Sequence, residues 1–229
     1  AGTRVWMGFE HLIRRAAGLG AVTTAPDPDL YEQVHDHCDL LVAGAGPAGL
    51  AAALEAAEQG ADVILAEQDF AIGGALLSDP DGAATLAPLA DAVAAHDGIR
   101  VLTRAQVFGL YDHGVAGVVE RLPAGGPVRE RLRLVRSGGI IAATGAIERP
   151  LVFGDNDRPG VMGAAAAGTY AVRHGVAPGR RIVVATTNDS AYAPAAALAT
   201  AGLDVTLLDL RDRRPEAAAA AAEAAGVAV

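Results

Sequence analysis

Cysteine is almost absent from the sequence, since Cys38 is the only one among 229 residues. A single thiol excludes disulfide frameworks, CxxC redox motifs and cysteine-based zinc clusters, because each of these needs more than one cysteine. A lone thiol is typical of proteins in the reducing cytoplasm, which is the location we expect. His35 and His37 lie close to Cys38, but we expect no metal site there because Cys38 begins an apolar strand pattern.

Long apolar runs and clusters of positive charge are also missing. Gly, Glu and Asp interrupt every apolar run before it reaches the roughly 20 residues that cross a bilayer. There are 18 Lys and Arg residues against 27 Asp and Glu, which gives a formal net charge of -9. We therefore expect neither a membrane nor a nucleic acid as a partner. The 52% of hydrophobic residues is typical of a folded chain with a core.

Both ends of the sequence are abrupt. The first ten residues contain no initiating Met and no signal-peptide pattern, and residues 227–229 resemble the opening of a strand. We therefore expect a piece of a longer protein.

The order of patterns predicts an α/β chain with a Rossmann-like two-dinucleotide-binding (FAD/NAD(P)-binding) fold. An antiparallel β excursion interrupts its first half, and its second half is incomplete. We expect an N-terminal helix and linker in residues 1–37, a dinucleotide-binding domain in 38–150 and a partial second Rossmann-like half in 151–229.

The predicted elements follow from runs of apolar residues and from the turns between them. We expect helices at about residues 9–17, 47–59, 85–96, 191–201 and 217–225. We expect strands at 38–43, 62–66, 99–103, 139–143, 181–186 and 205–210, and an antiparallel excursion at 107–111, 115–122 and 128–135.

A GxGxxG motif occupies residues 44–49, between a predicted strand and a predicted helix. Gly44 permits the tight turn, Gly46 lets backbone N–H groups approach a pyrophosphate, and Gly49 allows the helix to pack closely on the strand. The positive end of the helix then faces the phosphates. This context predicts a dinucleotide site.

An acidic residue follows the next strand, as the motif requires. Glu67 lies about 20 residues after the glycines, where a carboxylate accepts hydrogen bonds from ribose hydroxyls. The same carboxylate would repel a 2′-phosphate, which disfavours NADP. Gln68 is either a further ribose or adenine contact or a plain surface residue.

Three more loops are candidates because of their positions. The loop Gly73-Gly74-Ala75 either runs past the dinucleotide or only reverses the chain. Residues 144–146 follow a predicted strand at the carboxyl edge of the sheet, where ligands of open α/β sheets bind. Residues 188–190, Asn-Asp-Ser, stand where a second glycine motif would lie, and we expect them only to cap the next helix.

No nucleophile–base pair can be recognised in the sequence, so the catalytic residues are unknown. The histidines fall in predicted loops, at helix ends or on the N-terminal helix.

Several segments resemble the alpha chain of heterotetrameric sarcosine oxidase. They are residues 9–20, 37–39, 44–50, 155–162, 175–181 and 187–192, so the resemblance covers nearly the whole chain. The motifs Asp-Asn-Asp-Arg-Pro-Gly-Val-Met and Thr-Asn-Asp-Ser-Ala-Tyr are far more specific than the glycine pattern.

The resemblance implies the NAD-binding region of a larger oxidoreductase. In that family a beta-type subunit carries FAD, FMN is bound at the subunit interface, and small subunits complete a hetero-oligomer that demethylates sarcosine to glycine. The cofactor-binding residues that it implies are Gly44, Ala45, Gly46, Pro47, Ala48, Gly49, Glu67, Gln68, Gly74, Ala75, Val107, Thr144, Gly145 and Ala146. Because the folate-binding domain is missing, we expect the isolated chain to be inactive.

Two alternatives remain open. The alpha chains of opine oxidases, hydrogen cyanide synthases and dye-linked proline dehydrogenases share this architecture, and the glycine motif would also suit FAD. The other alternative is a non-catalytic scaffold that binds a nucleotide for stability or for docking. The amine substrate cannot be deduced, because none of these residues is expected to contact it.

Overall fold

The computed structural model of the protein describes residues 4–18, 20 and 25–229. The chain divides after Leu30 into two units. The first unit contains helix α1, Arg4–Ala16, which begins five residues before the predicted helix at 9–17. Trp6, Phe9, Leu12 and Ile13 are exposed on it. The parts of the predicted N-terminal segment at residues 1–3, 19 and 21–24 lie outside the described residues.

The second unit contains the eight strands and five α-helices that follow α1 in the described chain, and no described helix is long and apolar enough to cross a bilayer. The strands are β1 Leu30–Ala43, β2 Val63–Ala66, β3 Ile99–Leu102, β4 Ala105–Tyr111, β5 Val115–Arg121, β6 Val128–Ala142, β7 Arg181–Thr186 and β8 Asp204–Asp209. The helices are α2 Pro47–Glu58, α3 Gly82–Ala95, α4 Ala164–His174, α5 Tyr192–Thr200 and α6 Glu216–Ala224. Short 3-10 turns span Gly74–Ser78, Asp112–Gly114 and Asp189–Ala191.

Six strands form one sheet in the order β3-β2-β1-β6-β5-β4. Strands β1, β2 and β3 are parallel, whereas β4, β5 and β6 pair in antiparallel fashion. This is the predicted βαβ unit with its antiparallel excursion. Leu50 and Ala53 of α2 are fully buried with Val42 and Val63 of the parallel strands, so the helix packs directly on the sheet.

The central strand β1 is longer than predicted. It begins at Leu30, so residues 30–37 form a strand, where the sequence predicted a linker. In this segment, half-buried Glu32, Val34 and Asp36 alternate with exposed residues, most of which are polar. Because nearly all of these side chains are polar, the alternation carries no hydrophobic signal. Residues 26–29 have no regular structure, as the prolines indicated.

Strand β6 runs continuously from Val128 to Ala142, although the sequence predicted two separate strands. Its first part pairs with β5 and its last part lies beside β1, where the Ala143 N–H donates to the Ala43 carbonyl at 2.8 Å. The expected buried strand at residues 139–143 is only half-buried at Ile140 and exposed at Ile141. Strand β6 is therefore continuous because it has a neighbour along its whole length, although the local patterns indicated two separate strands.

A second, two-stranded sheet contains the parallel pair β7-β8, and Ala228 adds an isolated bridge to Thr206. Helices α4, α5 and α6 contribute Ala167, Ala195, Leu198 and Ala219 to its core. No element was predicted for α4, although Gly163 before it and Gly175 after it, at φ 63°, mark its ends. The strands predicted at 181–186 and 205–210 and the helices predicted at 191–201 and 217–225 agree with β7, β8, α5 and α6 to within one residue.

Candidate functional site

The GxGxxG motif forms a tight cradle between β1 and α2. Gly44 follows β1 with φ 102°, and a Cβ there would lie 2.4 Å from the carbonyl oxygen of Ala143. A Cβ on Gly49 would lie 1.9 Å from the carbonyl oxygen of Gly44. Only glycine fits at these two positions, as the motif predicted.

The helix N-terminus completes the cradle. Gly46 is the N-cap residue of α2, has no side chain to cap the helix, and is followed by Pro47 at its first turn. Pro47 and Ala48 are exposed. The free N–H groups of this first turn are the donors that bind phosphate in such motifs, and the helix dipole adds partial positive charge.

The Glu67 carboxylate, which the sequence predicted to bind ribose hydroxyls, lies directly against the cradle. Glu67 is only 7% exposed, and its Oε2 accepts a hydrogen bond from the Ala45 N–H at 2.7 Å. Its Oε1 accepts one from the Asp69 N–H at 2.9 Å. Backbone donors on both oxygens fix the orientation of this buried carboxylate, and each oxygen keeps a lone pair for a further donor.

The loop after β2 contacts the cradle. The Gly73 N–H donates to the Ala45 carbonyl at 2.7 Å. Gly74 has φ 53°, and a Cβ on it would lie 2.8 Å from the Cα of Gly46. Ala75 follows and is exposed. Close packing of two backbones therefore forms one wall of the cradle.

The remaining predicted residues lie around the same edge of the sheet. Thr144 follows β6, and its Cα would be 3.4 Å from a Cβ at Gly44, whereas Gly145 and Ala146 are exposed with nothing near Gly145. Val107 is half-buried in β4, two residues after Ala105, whose N–H donates to the Glu67 carbonyl at 2.7 Å. Exposed Gln68 lines a polar cavity of about 160 Å3 together with Arg104, Gln106, Val119 and Arg121.

The strand-to-helix turn of the second half is built differently. As expected, Asn188 caps the turn, because its Oδ1 accepts from the Ser190 N–H at 2.9 Å. Asp209 ends β8 and accepts hydrogen bonds from the Tyr192 hydroxyl at 2.8 Å and from the Arg211 Nε at 2.9 Å. Arg211 Nη1 also reaches Asp189 at 2.8 Å. Arg211 lowers the pKa of Asp209 far below its usual range.

The sequence analysis did not predict the ion pair between Arg173 and Asp69, which lies next to Glu67. Arg173 of α4 binds Asp69 through two hydrogen bonds of 2.6 and 3.0 Å, and this lowers the pKa of the Asp69 carboxyl. No local pattern links these residues, since 104 positions separate them. A signal did exist for Asp209, because an acid at the end of the second strand repeats the position of Glu67.

No catalytic group can be assigned from this arrangement. Burial raises the pKa of the Cys38 thiol to about 11, so the thiol stays protonated at neutral pH and is a poor nucleophile. Among residues 4–18, 20 and 25–229, no cluster of three or more His, Cys, Asp or Glu side chains could hold a metal ion. The geometry suits binding through backbone N–H groups and one carboxylate.

The chain is similar to known proteins in its sequence and in its fold. A family model described as an FAD binding domain matches residues 39–79, which contain the cradle and Glu67. The structure of L-proline dehydrogenase from P. horikoshii is similar with a TM-score of 0.65 and 24% identity, over 82% of this chain and 38% of that one. This likeness concerns the fold.

The sequence relatives include components of two oxidases. The alpha chain of sarcosine oxidase from Rhizobium meliloti (strain 1021) is 48% identical over 221 residues, which are 91% of this chain and 22% of the relative. A component of opine oxidase from Agrobacterium tumefaciens (strain Ach5) is 34% identical over 81% of this chain and 39% of the relative. The chain thus spans about a fifth of the length of the sarcosine oxidase relative. The resemblance is confirmed, and the chain is homologous over most of its length to one segment of sarcosine oxidase alpha chains.

Proposed function

We propose that the cradle binds an adenine dinucleotide, and NAD is the first candidate. The observation that carries this proposal is the lack of space for a Cβ at Gly44 and Gly49, next to a buried Glu67 carboxylate. Backbone N–H groups at the start of α2 would hold the pyrophosphate, and Glu67 would accept hydrogen bonds from the ribose hydroxyls. The carboxylate favours NAD over NADP because it would repel a 2′-phosphate.

The other residues around the cradle receive supporting roles in this proposal. Gly74 and Ala75 would border the pyrophosphate, Gln68 and the backbone of Val107 would meet the adenosine end, and residues 144–146 would close the site. The contacts of Gly74 with Gly46, and of Thr144 with Gly44, support these roles because they bring both loops to the glycines.

FAD is the second candidate for the same cradle. The family model that matches residues 39–79 is described as an FAD binding domain, and FAD shares its adenosine diphosphate part with NAD. The residues described above would bind that shared part in either case. The nicotinamide or the flavin end would decide between the two cofactors.

The released cofactor can be identified directly. The purified full chain is denatured, and its small molecules are separated and identified by mass and absorbance. NAD in the supernatant is the expected result, whereas FAD from a yellow sample would assign the cradle to the second candidate. An empty protein that also fails to bind added NAD and FAD would contradict the proposal.

We propose further that the chain serves a cytoplasmic flavoprotein oxidoreductase as one segment of its alpha-type chain. The relatives are named as subunits of sarcosine oxidase, which supports a hetero-oligomer with a beta-type subunit that carries flavin and with small subunits. FAD and FMN would belong to that assembly, whose reaction would be the oxidative demethylation of sarcosine to glycine with oxygen as acceptor.

The alternative is a nucleotide-binding scaffold without a catalytic role. The lack of a recognisable nucleophile–base pair among the described residues favours it, and so do the self-contained contacts of Asp209 and Arg211. Sarcosine turnover is measured with the full-length alpha-type chain by itself and after addition of a beta-type subunit. Turnover only in the mixture would support the oxidase, and turnover in neither sample would favour the scaffold.

A further inference from the structure

Helix α4 joins the second half of the chain to the cradle. Thr169 and Arg173 are four residues apart and therefore lie on one face of the helix. The Thr169 hydroxyl is 3.0 Å from the Ser78 hydroxyl, and Arg173 forms its two hydrogen bonds with Asp69. Ala167 of the same helix is buried in the core of the second half. Helix α4 thus packs in one half and touches the other half at two points.

The backbone of Asp69 helps to orient the Glu67 carboxylate. Its N–H donates to Glu67 Oε1 at 2.9 Å, and its carbonyl accepts from the Arg104 N–H at 2.8 Å. The Asp69 N–H is one of the two backbone donors that orient Glu67, and the Ala45 N–H is the other. A shift of residue 69 would therefore turn the carboxylate away from its present orientation.

The side chain of Arg173 is itself held in place. Its guanidinium lies 5.0 Å from the centroid of the Phe70 ring, and the Arg104 guanidinium lies 5.6 Å from the same ring. The two hydrogen bonds to Asp69 use the planar fork of the guanidinium, which an ammonium group cannot reproduce. The Arg173 side chain is only 18% exposed, so water screens this pair less than a fully exposed one.

We propose that Arg173 is a positioning residue for the nucleotide site, which holds the Glu67 carboxylate in its binding orientation by fixing Asp69. The inference rests on the proposed function for the role of Glu67, but each hydrogen bond between Arg173 and Ala45 joins atoms of the protein itself. Through Arg173, the second half of the chain would take part in nucleotide binding.

The first test uses the ligand-free full chain. Amide hydrogen exchange at Ala45 is followed by NMR in Arg173→Gln, in Arg173→Lys and in Thr169→Val. The last variant removes the hydroxyl that contacts Ser78 and donates to the Ala165 carbonyl within α4, and it leaves Arg173 in place. Loss of one oriented hydrogen bond corresponds to about tenfold faster exchange in Arg173→Gln, with a smaller rise in Arg173→Lys. Thr169→Val should match the wild type. Unchanged exchange in Arg173→Gln, or equal acceleration in Thr169→Val, would overturn the proposal.

The second test is a double-mutant cycle on the dissociation constant of NAD, or of FAD if FAD is the occupant. Arg173→Gln is expected to weaken binding about fivefold to tenfold. In a Glu67→Gln background the same substitution should change binding less than about twofold, because its effect passes through Glu67. Independent, additive effects would contradict the proposal. A wild-type chain that binds neither dinucleotide would refute the proposed function, and the exchange experiment would still decide the role of Arg173.

Discussion

Both halves of the chain place an acidic side chain at the end of the second strand of a strand–helix–strand unit, but the two acids have different partners. Glu67 accepts hydrogen bonds from two backbone N–H groups, those of Ala45 and Asp69. Asp209 likewise accepts from the backbone N–H two residues on, that of Arg211 at 3.1 Å, but its other donors are the side chains of Tyr192 and Arg211. One acid thus faces a glycine cradle, and the other is enclosed by a hydroxyl and a guanidinium.

The turns that precede the helices explain this difference. In the first half, glycines leave the N–H groups at the start of α2 open to a ligand. In the second half, the Asn188 side chain caps the turn, and Asp189 adds a negative charge that is paired with Arg211. A carboxylate at that point would repel a phosphate. The same architecture therefore suits a ligand in one half and satisfies its polar groups internally in the other.

The largest effect is expected from Gly49→Ala. The new Cβ would lie 1.9 Å from the Gly44 carbonyl oxygen, so either α2 or the turn must move. We expect a loss of about 2–3 kcal/mol in the free energy of unfolding, and dinucleotide binding should fall below detection. Urea unfolding and titration with NAD and FAD measure the two effects. The control is Gly126→Ala, whose Cβ would meet nothing closer than 3.8 Å. A Gly49→Ala chain as stable as this control would contradict the close packing.

The two acids can be compared directly by Glu67→Gln and Asp209→Asn. In Glu67→Gln, the amide NH2 must face the N–H of either Ala45 or Asp69, and the charge that attracts ribose hydroxyls is lost. We expect roughly tenfold to hundredfold weaker dinucleotide binding, measured by calorimetric titration. Asp209→Asn should bind within about twofold of the wild type. Equal weakening in both variants would mean that the second half also takes part in binding the ligand directly.

A third variant addresses stability in the second half alone. Arg211→Gln removes the guanidinium from Asp209, whose side chain is only 5% exposed, and leaves the Tyr192 hydroxyl as its remaining side-chain donor. An incompletely paired, buried carboxylate destabilises a fold, so the melting temperature should fall, while dinucleotide binding stays unchanged. Arg214→Gln breaks a more exposed pair with Glu223 and serves as the control, with an expected change below about 0.5 kcal/mol. Weaker binding in Arg211→Gln would contradict the assignment of Asp209 and Arg211 to stability alone.

Much of the first half could be predicted from the sequence because its signals are local. The glycine motif, the buried strand before it and the acid after the next strand lie within residues 38–67, and the structure brings Gly44, Gly49 and Glu67 together as expected. The contact of Gly49 with Gly44 and the hydrogen bond from Ala45 to Glu67 need no distant residue, whereas the lack of space at Gly44 comes from Ala143. Sequence patterns are strongest where one turn and its two neighbours determine the structure.

The features that were missed depend on partners far away in the sequence. Residues 30–37, of which five are charged, amide or histidine side chains, extend β1 because β6 lies beside it. Strand β6 is continuous because it pairs with β5 and then with β1. Arg173 contacts Asp69 across 104 positions. Helix α4 could have been recognised from its flanking glycines, but its contacts with the first half could not. Single-sequence patterns contain no information on which distant charges meet.

The smallest of the expected effects is the pH dependence of stability. Arg211 keeps the pKa of Asp209 far below the value of about 3.9 that an Asp has in an unfolded chain. The stabilisation is therefore complete above the unfolded pKa and is lost as the pH falls through it towards the folded pKa. Between about pH 5 and pH 3, the urea midpoint of the wild type should fall more steeply than that of Asp209→Asn. The urea midpoint of Asp69→Asn should also fall less steeply than that of the wild type over this range, because Arg173 lowers the pKa of Asp69 as well. Parallel curves for the wild type and Asp209→Asn would mean that Arg211 does not hold the Asp209 carboxylate, and the contrast between the two acids would then lose its electrostatic basis.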